Sequence, residues 1–304
     1  MRVFVTGATG FIGSAIVQEL IAAGHRVIGL ARSDGAAKSL LATGAQAYRG
    51  DLEDVQSLRD GAAMSDGVIH TGFIHDFSKF KEVCETDRLA IEALGSALAG
   101  SNRTLIITSG IGILPPGGLA TEETMPSSGP GSHPRAASEQ AADAMAALGA
   151  RVSVVRLPPS VHGDGDHGFV PTLIRIAGEK GVSVYQGDGL NRWPAVHRLD
   201  AAHLFRLALE MAAAAGSRFH GVAEQGVAFR EIAEVIGRHL NVPVVSRSPE
   251  DAAHHFGWFA HFAAMNNPAA SQRTREVLGW QPKQPGLLLD LERSTRYFET
   301  LTTA

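Results

Sequence analysis

The feature that most restricts the fold of this chain is a glycine motif between a short apolar run and a helical pattern. The opening residues read RVFVTGATGFIGSAIVQELIAAG. Gly7 permits a sharp turn after a strand, Gly10 allows a phosphate group to approach the backbone, and Gly13 lets the following helix pack closely. The free N–H groups at a helix N-terminus attract anions. The motif therefore predicts a dinucleotide pyrophosphate site lined by Gly7, Thr9, Gly10, Phe11, Ile12 and Gly13.

The rest of the first half alternates apolar strand patterns with helical patterns. HRVIGLA, AQAYRG, DGVIHTG and RTLIITSG read as strands, separated by segments of helical spacing. Strands that are apolar on both faces and alternate with helices form parallel sheets covered on two sides. We predict an α/β fold, a Rossmann-like doubly wound parallel sheet formed by residues 1–160 with returning elements at about 196–222. A smaller substrate lobe is predicted from about 161–195 and 223–304.

Charge and cysteine content exclude several classes of function. A net charge of −4 without a long basic run argues against nucleic-acid binding. No apolar run reaches the length of a membrane span, and the N-terminus lacks the pattern of a signal peptide. The single cysteine, Cys84, lies in a helical pattern and indicates a cytoplasmic location and a packing role. Thirteen histidines show no metal-ligand spacing, so we expect no metal.

Short motifs along nearly the whole chain identify a family resemblance. TGATGFIG, GDLED, VIHTG, TSG, RLPPSVHGDGD, VHRLDAA and TREVLGWQP together resemble the extended short-chain dehydrogenases/reductases, the group that contains sugar-nucleotide epimerases and dehydratases. The resemblance implies a nicotinamide cofactor and a small-molecule substrate. It also implies a homodimer formed through the helices around KFKEVCETDRL and PRAASEQAADAMAAL. Further cofactor contacts implied by it are Asp51 and Leu52 at the adenine, Thr71 and Gly72 along the middle, and Pro158 and Val161 at the nicotinamide.

The residues after the second strand indicate which nicotinamide cofactor is bound. An acidic residue about twenty positions past the glycine motif would bind an NAD ribose. Here GLARSDG places Arg32 and Ser33 at that point, and a guanidinium pairs well with a 2′-phosphate. NADP(H) is therefore preferred over NAD(H). The alternative is that Arg32 is solvated and Asp34 binds the ribose, and Asp51 is equally suited to cap the next helix.

The proton-transfer residues of the resembled family are mostly absent. That family uses a Ser or Thr, a Tyr, a Lys four residues later, and an upstream Asn. Placing Glu139 on the family's helix glutamate puts Arg135 at the Lys position, Gly131 at the Tyr position and Asp87 near the Asn position. Only Ser109 matches. The chain thus looks like an atypical member that lacks the Tyr, and its tyrosines Tyr48, Tyr185 and Tyr297 lie in other parts of the sequence.

Histidines are the natural replacements for the missing phenol, because imidazole titrates near neutral pH. His133, two residues before Arg135, is the first candidate, with a helix-cap or loop role as its alternative. His162, at the family's second tyrosine position in VHG, is the second. Arg135 would hold the ribose hydroxyls as a permanent cation. His75, His167 and His197 are weaker candidates.

These residues predict an NADP(H)-dependent oxidoreductase that moves hydride between NADPH and a small carbonyl or alcohol. Ser109 would hold the substrate oxygen, and His133 or His162 would supply the proton. The main alternative is a cofactor-binding sensor or regulatory protein without catalysis, favoured by the missing Tyr. An epimerase or dehydratase acting on sugar nucleotides is less favoured, because no sugar-nucleotide signature is present.

Overall fold

The central sheet is built from seven parallel strands. A computed structural model of the chain describes residues 1–129, 131–294 and 296–299, without the side chains of Phe77 and Glu299. Within those ranges the sheet strands are β1 (Arg2–Thr6), β2 (Arg26–Ala31), β3 (Gln46–Arg49), β4 (Gly67–His70), β5 (Thr104–Gly110), β6 (Arg151–Leu157) and β10 (Ser217–His220). Their order is β10-β6-β5-β4-β1-β2-β3. The predicted parallel, doubly wound sheet is confirmed, and the strand order reverses direction between β1 and β4.

Two layers of helices cover this sheet. The helices in the first part of the chain are α1 (Phe11–Ala22), α2 (Asp34–Ala42), α3 (Val55–Ala63), α4 (Phe80–Leu98), α5 (Ala136–Ala147) and, later, α7 (Arg198–Met211). Successive side chains of a strand point to opposite faces of the sheet. On β1, Val3 and Val5 accordingly join the buried cluster under α1 and α7, while Phe4 joins the cluster under α3, α4 and α5.

The remaining strands form two small sheets. β7 (Ser160–His162) pairs in parallel with β9 (Arg192–His197), which pairs antiparallel with β11 (Glu224–Ala228). β8 (Ser183–Gln186) pairs in parallel with β12 (Val244–Arg247). The helices of this part are α6 (Phe169–Lys180), α8 (Phe229–Leu240), α9 (Pro249–Phe256), α10 (Ala260–Ala263), α11 (Gln272–Leu278), α12 (Leu287–Arg293) and α13 (Arg296–Glu299). A separate apolar core, with Trp193 fully buried at its centre, joins α6, α8 and α9.

Two later elements return to the large sheet. α7 packs against α1, and β10 extends the sheet beyond β6. The Asp200 carboxylate on α7 accepts hydrogen bonds from the backbone N–H groups of Lys283 and Gln284, at 2.9 and 3.0 Å. The C-terminal segment is thereby tied to the large sheet. No helix in the described ranges is long and apolar enough to cross a membrane.

Candidate functional site

The glycine turn after β1 forms a backbone cradle that side chains would fill. Gly7 has φ +65°, and a Cβ placed there would lie 2.7 Å from the Gly72 backbone nitrogen. A Cβ at Gly13 would lie 2.0 Å from the Gly7 carbonyl oxygen. Both distances are below any normal contact, so the turn and the start of α1 approach each other only because these residues lack side chains. The N-terminal amides of α1 are left facing a groove suited to a pyrophosphate.

This cradle forms part of the wall of a cleft of about 800 Å³. It lies at the carboxyl ends of the parallel strands, beside the point where the strand order reverses, which is where doubly wound folds bind ligands. Its size is in the range of small-molecule and cofactor sites. Thirteen of the predicted cofactor residues line it: Gly7, Thr9, Gly10, Phe11, Ile12, Gly13, Arg32, Ser33, Asp51, Leu52, Thr71, Gly72 and Val161.

At one end of the cleft stand the residues that follow β2. The Arg32 side chain is 77% exposed, and its Nε lies 4.0 Å from an Asp51 carboxylate oxygen. The Ser33 hydroxyl oxygen accepts a hydrogen bond from the Ala36 N–H and so caps α2. Asp34 instead faces Arg49, 3.3 Å away. This end of the cleft therefore presents a guanidinium and a hydroxyl, and Asp34 is outside the lining.

The Asp51 side chain does not cap the next helix. The cap of α3 is Asp54, whose carboxylate accepts hydrogen bonds from the Gln56 and Ser57 N–H groups at 3.1 and 3.2 Å. The alternative role of Asp51 as the helix cap is therefore wrong. Leu52 packs over Gly72, where a Cβ would lie 3.0 Å from a Leu52 methyl carbon. The small residue at position 72 keeps the middle of the cleft open.

The far end of the cleft is formed by the segment after β4 and by β7. Phe73, Ile74 and His75 follow β4, and Pro159 and Val161 stand on the opposite side. Pro158, predicted to contact the nicotinamide, is buried beneath this surface, and Pro159 lines the cleft in its place. Burial lowers the pKa of His75, and the charges of Arg135 and His167 act in the same direction. His75 is therefore mainly neutral at neutral pH.

A buried polar network lies behind this wall. The Thr6 hydroxyl accepts a hydrogen bond from the Gly72 N–H and contacts His70 Nδ1 at 2.7 Å. On the other side of the ring, His70 Nε2 lies 3.1 Å from a carboxylate oxygen of Asp87, and the second oxygen accepts a hydrogen bond of 2.6 Å from Ser138. This chain of contacts joins β1, β4, α4 and α5 directly below the cleft.

Arg135 belongs to the same network. Its Nη1 lies 3.6 Å from the Asp87 carboxylate, its Nη2 donates to the Thr108 carbonyl at 3.2 Å, and its guanidinium lies 3.7 Å from the Phe73 ring centroid. Burial acts to raise the pKa of the Asp87 carboxyl, but the charge of Arg135 and the hydrogen bonds from His70 and Ser138 outweigh it and lower the pKa. Asp87 is thus a carboxylate that neutralises Arg135. Arg135 is outside the described cleft lining and contacts it only by packing on the Phe73 ring.

Two of the predicted catalytic residues lie outside the described cleft lining. Ser109 is 3% exposed, and its hydroxyl makes no hydrogen bond to the described residues. Glu139 on α5 holds the fully buried Arg156 through two oxygens, at 2.8 and 2.7 Å. The His133 ring packs on Phe80, and its Nδ1 accepts a hydrogen bond from the Arg135 N–H. Burial, His261 and Arg135 lower the pKa of His133.

His162, the other predicted proton donor, is fully buried behind β7. Its Nδ1 lies 2.8 Å from an Asp290 carboxylate oxygen, and its ring packs edge-on against His197 at 5.3 Å. Tyr297 closes this group by accepting a hydrogen bond from the Gly163 N–H at 2.7 Å. Burial and the neighbouring carboxylates raise the Tyr297 pKa. Tyr48, Tyr185 and Tyr297 all lie outside the described lining of the cleft.

Sequence reasoning missed several lining residues from the smaller lobe. Asp166, Phe169, Thr172 and Trp258 line the cleft, and His167 was only a weak candidate. Burial raises the pKa of the Asp166 carboxyl to about 6, against the opposing effect of a hydrogen bond from the Gly168 N–H. Only the glycine-rich HGDGD segment marked this region in the sequence. Nothing in the sequence marks Trp258, which is about ninety residues away from Asp166 along the chain.

The described part of the chain contains neither a metal-binding cluster nor an activated thiol. No set of three or more His, Cys, Asp or Glu side chains there is placed to hold a metal ion. His254 and His255 lie on α9 and His261 on α10. Cys84 is buried on α4, and burial raises its pKa to about 11, so its sulfur is a thiol at neutral pH. Cys84 therefore packs as an apolar side chain.

Several known proteins are similar to this chain in sequence over most of its length. An uncharacterized protein of Schizosaccharomyces pombe is 50% identical over 299 residues, 98% of this chain and 100% of the relative. One from Saccharomyces cerevisiae is 49% identical over 293 residues, 96% of this chain and 98% of the relative. A 2-alkyl-3-oxoalkanoate reductase of Stenotrophomonas maltophilia is 28% identical over 266 residues, 82% of this chain and 78% of the relative.

Solved structures show the same fold. MoeE5 in complex with UDP-glucose and NAD superposes with a TM-score of 0.76 at 22% identity over 100% of both chains. The NAD-bound dTDP-glucose 4,6-dehydratase of Streptomyces venezuelae has a TM-score of 0.76 at 21% identity, covering 99% of this chain and 97% of that one.

Residues 3–220 match the sequence model of the NAD dependent epimerase/dehydratase family. This span contains the glycine cradle, the seven strands of the large sheet except Arg2 of β1, and most of the cleft. The chain therefore belongs to the NAD-dependent epimerase/dehydratase family.

Proposed function

We propose that this protein is an NADP(H)-dependent oxidoreductase that transfers hydride between NADPH and a small carbonyl or alcohol substrate. The observation that carries the proposal is the continuity of one cleft. It runs from Arg32 and Ser33, past the glycine cradle, to a wall that ends at the titratable side chain of His75. A dinucleotide laid along this cleft would have its phosphates at α1 and its reactive ring near His75. Bound NADPH supplies the hydride.

The preference for NADP(H) rests on the residues around Arg32. β2 ends in Ala31 and is followed directly by Arg32, while Asp34, the next carboxylate, pairs with Arg49 outside the described cleft lining. Arg32 is solvent-accessible and only loosely paired, and the Ser33 hydroxyl still has its proton to donate. A guanidinium and a hydroxyl at the N-terminus of a helix suit a 2′-phosphate. The two solved structures described above contain NAD, and the NADP(H) preference proposed here rests on Arg32 and Ser33 alone.

We propose His75 as the group that exchanges the substrate proton. It lines the cleft, whereas His133 is packed on Phe80 and His162 is buried against Asp290. In reduction, the carbonyl carbon accepts the hydride, and the oxygen takes a proton from the His75 imidazolium. Because the pKa of His75 is lowered, reduction should quicken as the pH falls and oxidation should quicken as the pH rises. The roles of His133, His162 and Ser109 stay predictions.

Arg135 acts mainly as a positioning residue in this proposal. Its guanidinium supports the Phe73 ring from behind while Asp87 and the Thr108 carbonyl hold it in place. Its Nη1 is buried and lies 3.6 Å from the Asp87 carboxylate, so a ribose contact of Arg135 stays a prediction.

The test is calorimetric titration of NADPH and NADH into the parent protein, Arg32→Ala and Arg49→Ala. Arg49 is the control, because it is an exposed arginine that pairs with Asp34 outside the cleft. We expect Arg32→Ala to lose about tenfold or more in NADPH affinity, the size of a lost charge-assisted hydrogen bond, with little change for NADH. Equal losses for both cofactors would refute the 2′-phosphate contact. Oxidation of NADPH, followed at 340 nm with a carbonyl panel, then tests hydride transfer.

A cofactor-binding sensor is the second candidate. It is favoured by the buried position of Ser109 and by the absence of a tyrosine from the described lining of the cleft. In that case NADPH should bind and raise the thermal midpoint, while no carbonyl compound accelerates its oxidation.

Assembly and location are also part of the proposal. We propose a homodimer through the outer faces of α4 and α5, where Leu89 is 41% exposed, and a cytoplasmic location. Light scattering on Leu89→Glu tests the dimer, since a buried carboxylate there should yield monomers.

A further inference from the structure

The far end of the cleft is walled by aromatic rings on both sides. On one side, Phe73 packs edge-on against His75 at 5.4 Å and is supported by Arg135. On the other side, Phe169 and Trp258 come from the smaller lobe. Trp258 is 62% exposed, in contrast to Trp193 and Trp280, which are fully buried. An indole on the rim of a cleft offers a large planar apolar face on which an aromatic ligand can stack.

The lobe side of this wall is held rigidly by further aromatic contacts. Phe169 packs against Phe262 at 4.7 Å and Phe259 at 5.2 Å. Trp258 packs against the same two rings at 6.3 and 5.4 Å. The four side chains form one cluster on α6 and on the segment 257–263. The wall that faces the substrate is therefore preformed.

No lysine or arginine of the described lining stands at this end of the cleft. The one that lines the cleft, Arg32, is at the opposite end. Nearby Arg135 is turned to Asp87 and Thr108, and Arg198 donates to the Asp164 carbonyl at 2.7 Å. Asp166 adds a carboxylate to the cleft lining. A nucleoside diphosphate or a carboxylate ligand would meet this carboxylate without a guanidinium or ammonium group of the lining to pair with it.

We infer that the substrate is an uncharged aromatic carbonyl compound, held between Phe73 and the Trp258–Phe169 wall, and that the Asp166 carboxylate excludes anionic ligands. The inference rests on the oxidoreductase proposal and adds the substrate class to it. In the forward step a C–H bond forms at the carbonyl carbon from the hydride of NADPH. The C=O π pair moves to oxygen, which is protonated, and the products are a secondary or primary alcohol and NADP⁺.

The test measures binding separately from turnover. The NADP⁺-loaded protein is titrated calorimetrically with 2-acetylnaphthalene, with its carboxylate analogue 6-acetyl-2-naphthoic acid, and with UDP-glucose. NADP⁺ prevents reduction, so the heat reports binding alone. NADPH oxidation with the same three compounds is followed at 340 nm. We expect 2-acetylnaphthalene to bind at least tenfold more tightly than its carboxylate analogue, and UDP-glucose not to bind in the millimolar range.

Two variants and a control test whether Trp258 and Asp166 determine which ligand binds. Trp258→Ala should weaken 2-acetylnaphthalene binding at least fivefold, while Leu190→Ala should not change it. Leu190 is a matched control because it is 58% exposed in the same lobe and outside the cleft lining. Asp166→Asn should reduce the discrimination against the carboxylate analogue about tenfold.

The outcomes separate the two proposals. Binding of 2-acetylnaphthalene without NADPH oxidation supports the ligand class and contradicts the oxidoreductase proposal. Oxidation of NADPH by a charged sugar nucleotide supports the oxidoreductase and overturns the ligand class. The inference is also overturned if 2-acetylnaphthalene does not bind, if the carboxylate analogue binds equally well, or if Trp258→Ala behaves like Leu190→Ala.

Discussion

Replacing Asp87 by Asn tests whether the buried network below the cleft is organised around a charge pair. Asp87 and Arg135 side chains are 2% and 14% exposed, and their charged atoms lie 3.6 Å apart. Asparagine is isosteric and can still accept from His70 or Ser138. The substitution therefore removes little besides the negative charge, and Arg135 is left as an uncompensated cation.

The size of the effect follows from the separation. At 3.6 Å and an effective dielectric constant of about 20, two unit charges interact by roughly 332/(20 × 3.6), or about 5 kcal/mol. Removing one partner of a buried pair typically costs about 3–5 kcal/mol. We therefore expect Asp87→Asn to lower the free energy of unfolding by about 3–5 kcal/mol at pH 7, measured by urea denaturation.

The pH dependence has a definite sign. The folded-state pKa of Asp87 lies below its ordinary value of 3.8. Its stabilising contribution is therefore complete above that value and is lost as the pH falls through the folded-state pKa. The gap between parent and Asp87→Asn should be constant from about pH 8 to pH 5 and should shrink on further acidification.

A second substitution makes the reasoning refutable. Asp87→Asn combined with Arg135→Gln removes both charges, so the double variant should recover most of the stability lost by the single one. A loss below about 1 kcal/mol for Asp87→Asn, or no recovery in the double variant, would show that the two charges do not stabilise one another.

Three further predictions concern the cleft itself. Gly13→Ala should abolish cofactor binding and destabilise the fold by several kcal/mol, because its Cβ would lie 2.0 Å from the Gly7 carbonyl oxygen. The control is Gly35→Ala, which has open space on α2 and should raise the thermal midpoint. Similar effects of the two substitutions would contradict the steric role proposed for Gly13. His75→Gln should lower kcat for reduction about 100-fold with little change in NADPH affinity, and an unchanged pH–rate profile would remove His75 from proton transfer. Burial raises the folded-state pKa of Asp166 to about 6, so the stability tied to its protonation is present below its ordinary value of 3.8 and lost as pH rises through about 6. Asp166→Asn should therefore raise the free energy of unfolding by about 1–2 kcal/mol at pH 8, after discounting for solvent in the cleft, and have no effect near pH 4.

The part of the cleft lining around the glycine cradle was predictable because its determinants are local in sequence. A glycine turn after a strand has its geometry set within seven residues, and its steric demand is visible in the chain itself. Arg32 and Ser33 follow β2 directly, and Leu52 and Gly72 follow β3 and β4. Carboxyl ends of parallel strands meet at one edge of a sheet, so residues just after each strand converge there without further information.

The catalytic half depends on directions that the sequence does not contain. Ser109 lies near the end of β5, yet strand side chains alternate between faces, and here the Ser109 hydroxyl is buried outside the described cleft lining. His162 stands next to lining residue Val161 for the same reason, and it faces Asp290 instead of the cleft. A shift of one residue along a strand decides whether a side chain lines the cleft or is buried in the core. Motif spacing does not define a position to within one residue.

By itself the sequence determined the family, the doubly wound sheet and the glycine cradle, because these depend on steric rules acting over a few residues. Tertiary structure alone decided the aromatic end of the cleft. Trp258 and Phe169 belong to segments about ninety residues apart and are joined only when α6 and the segment 257–263 pack over one core. Contacts of that kind depend on how whole helices pack on one another, and short sequence motifs do not specify that packing.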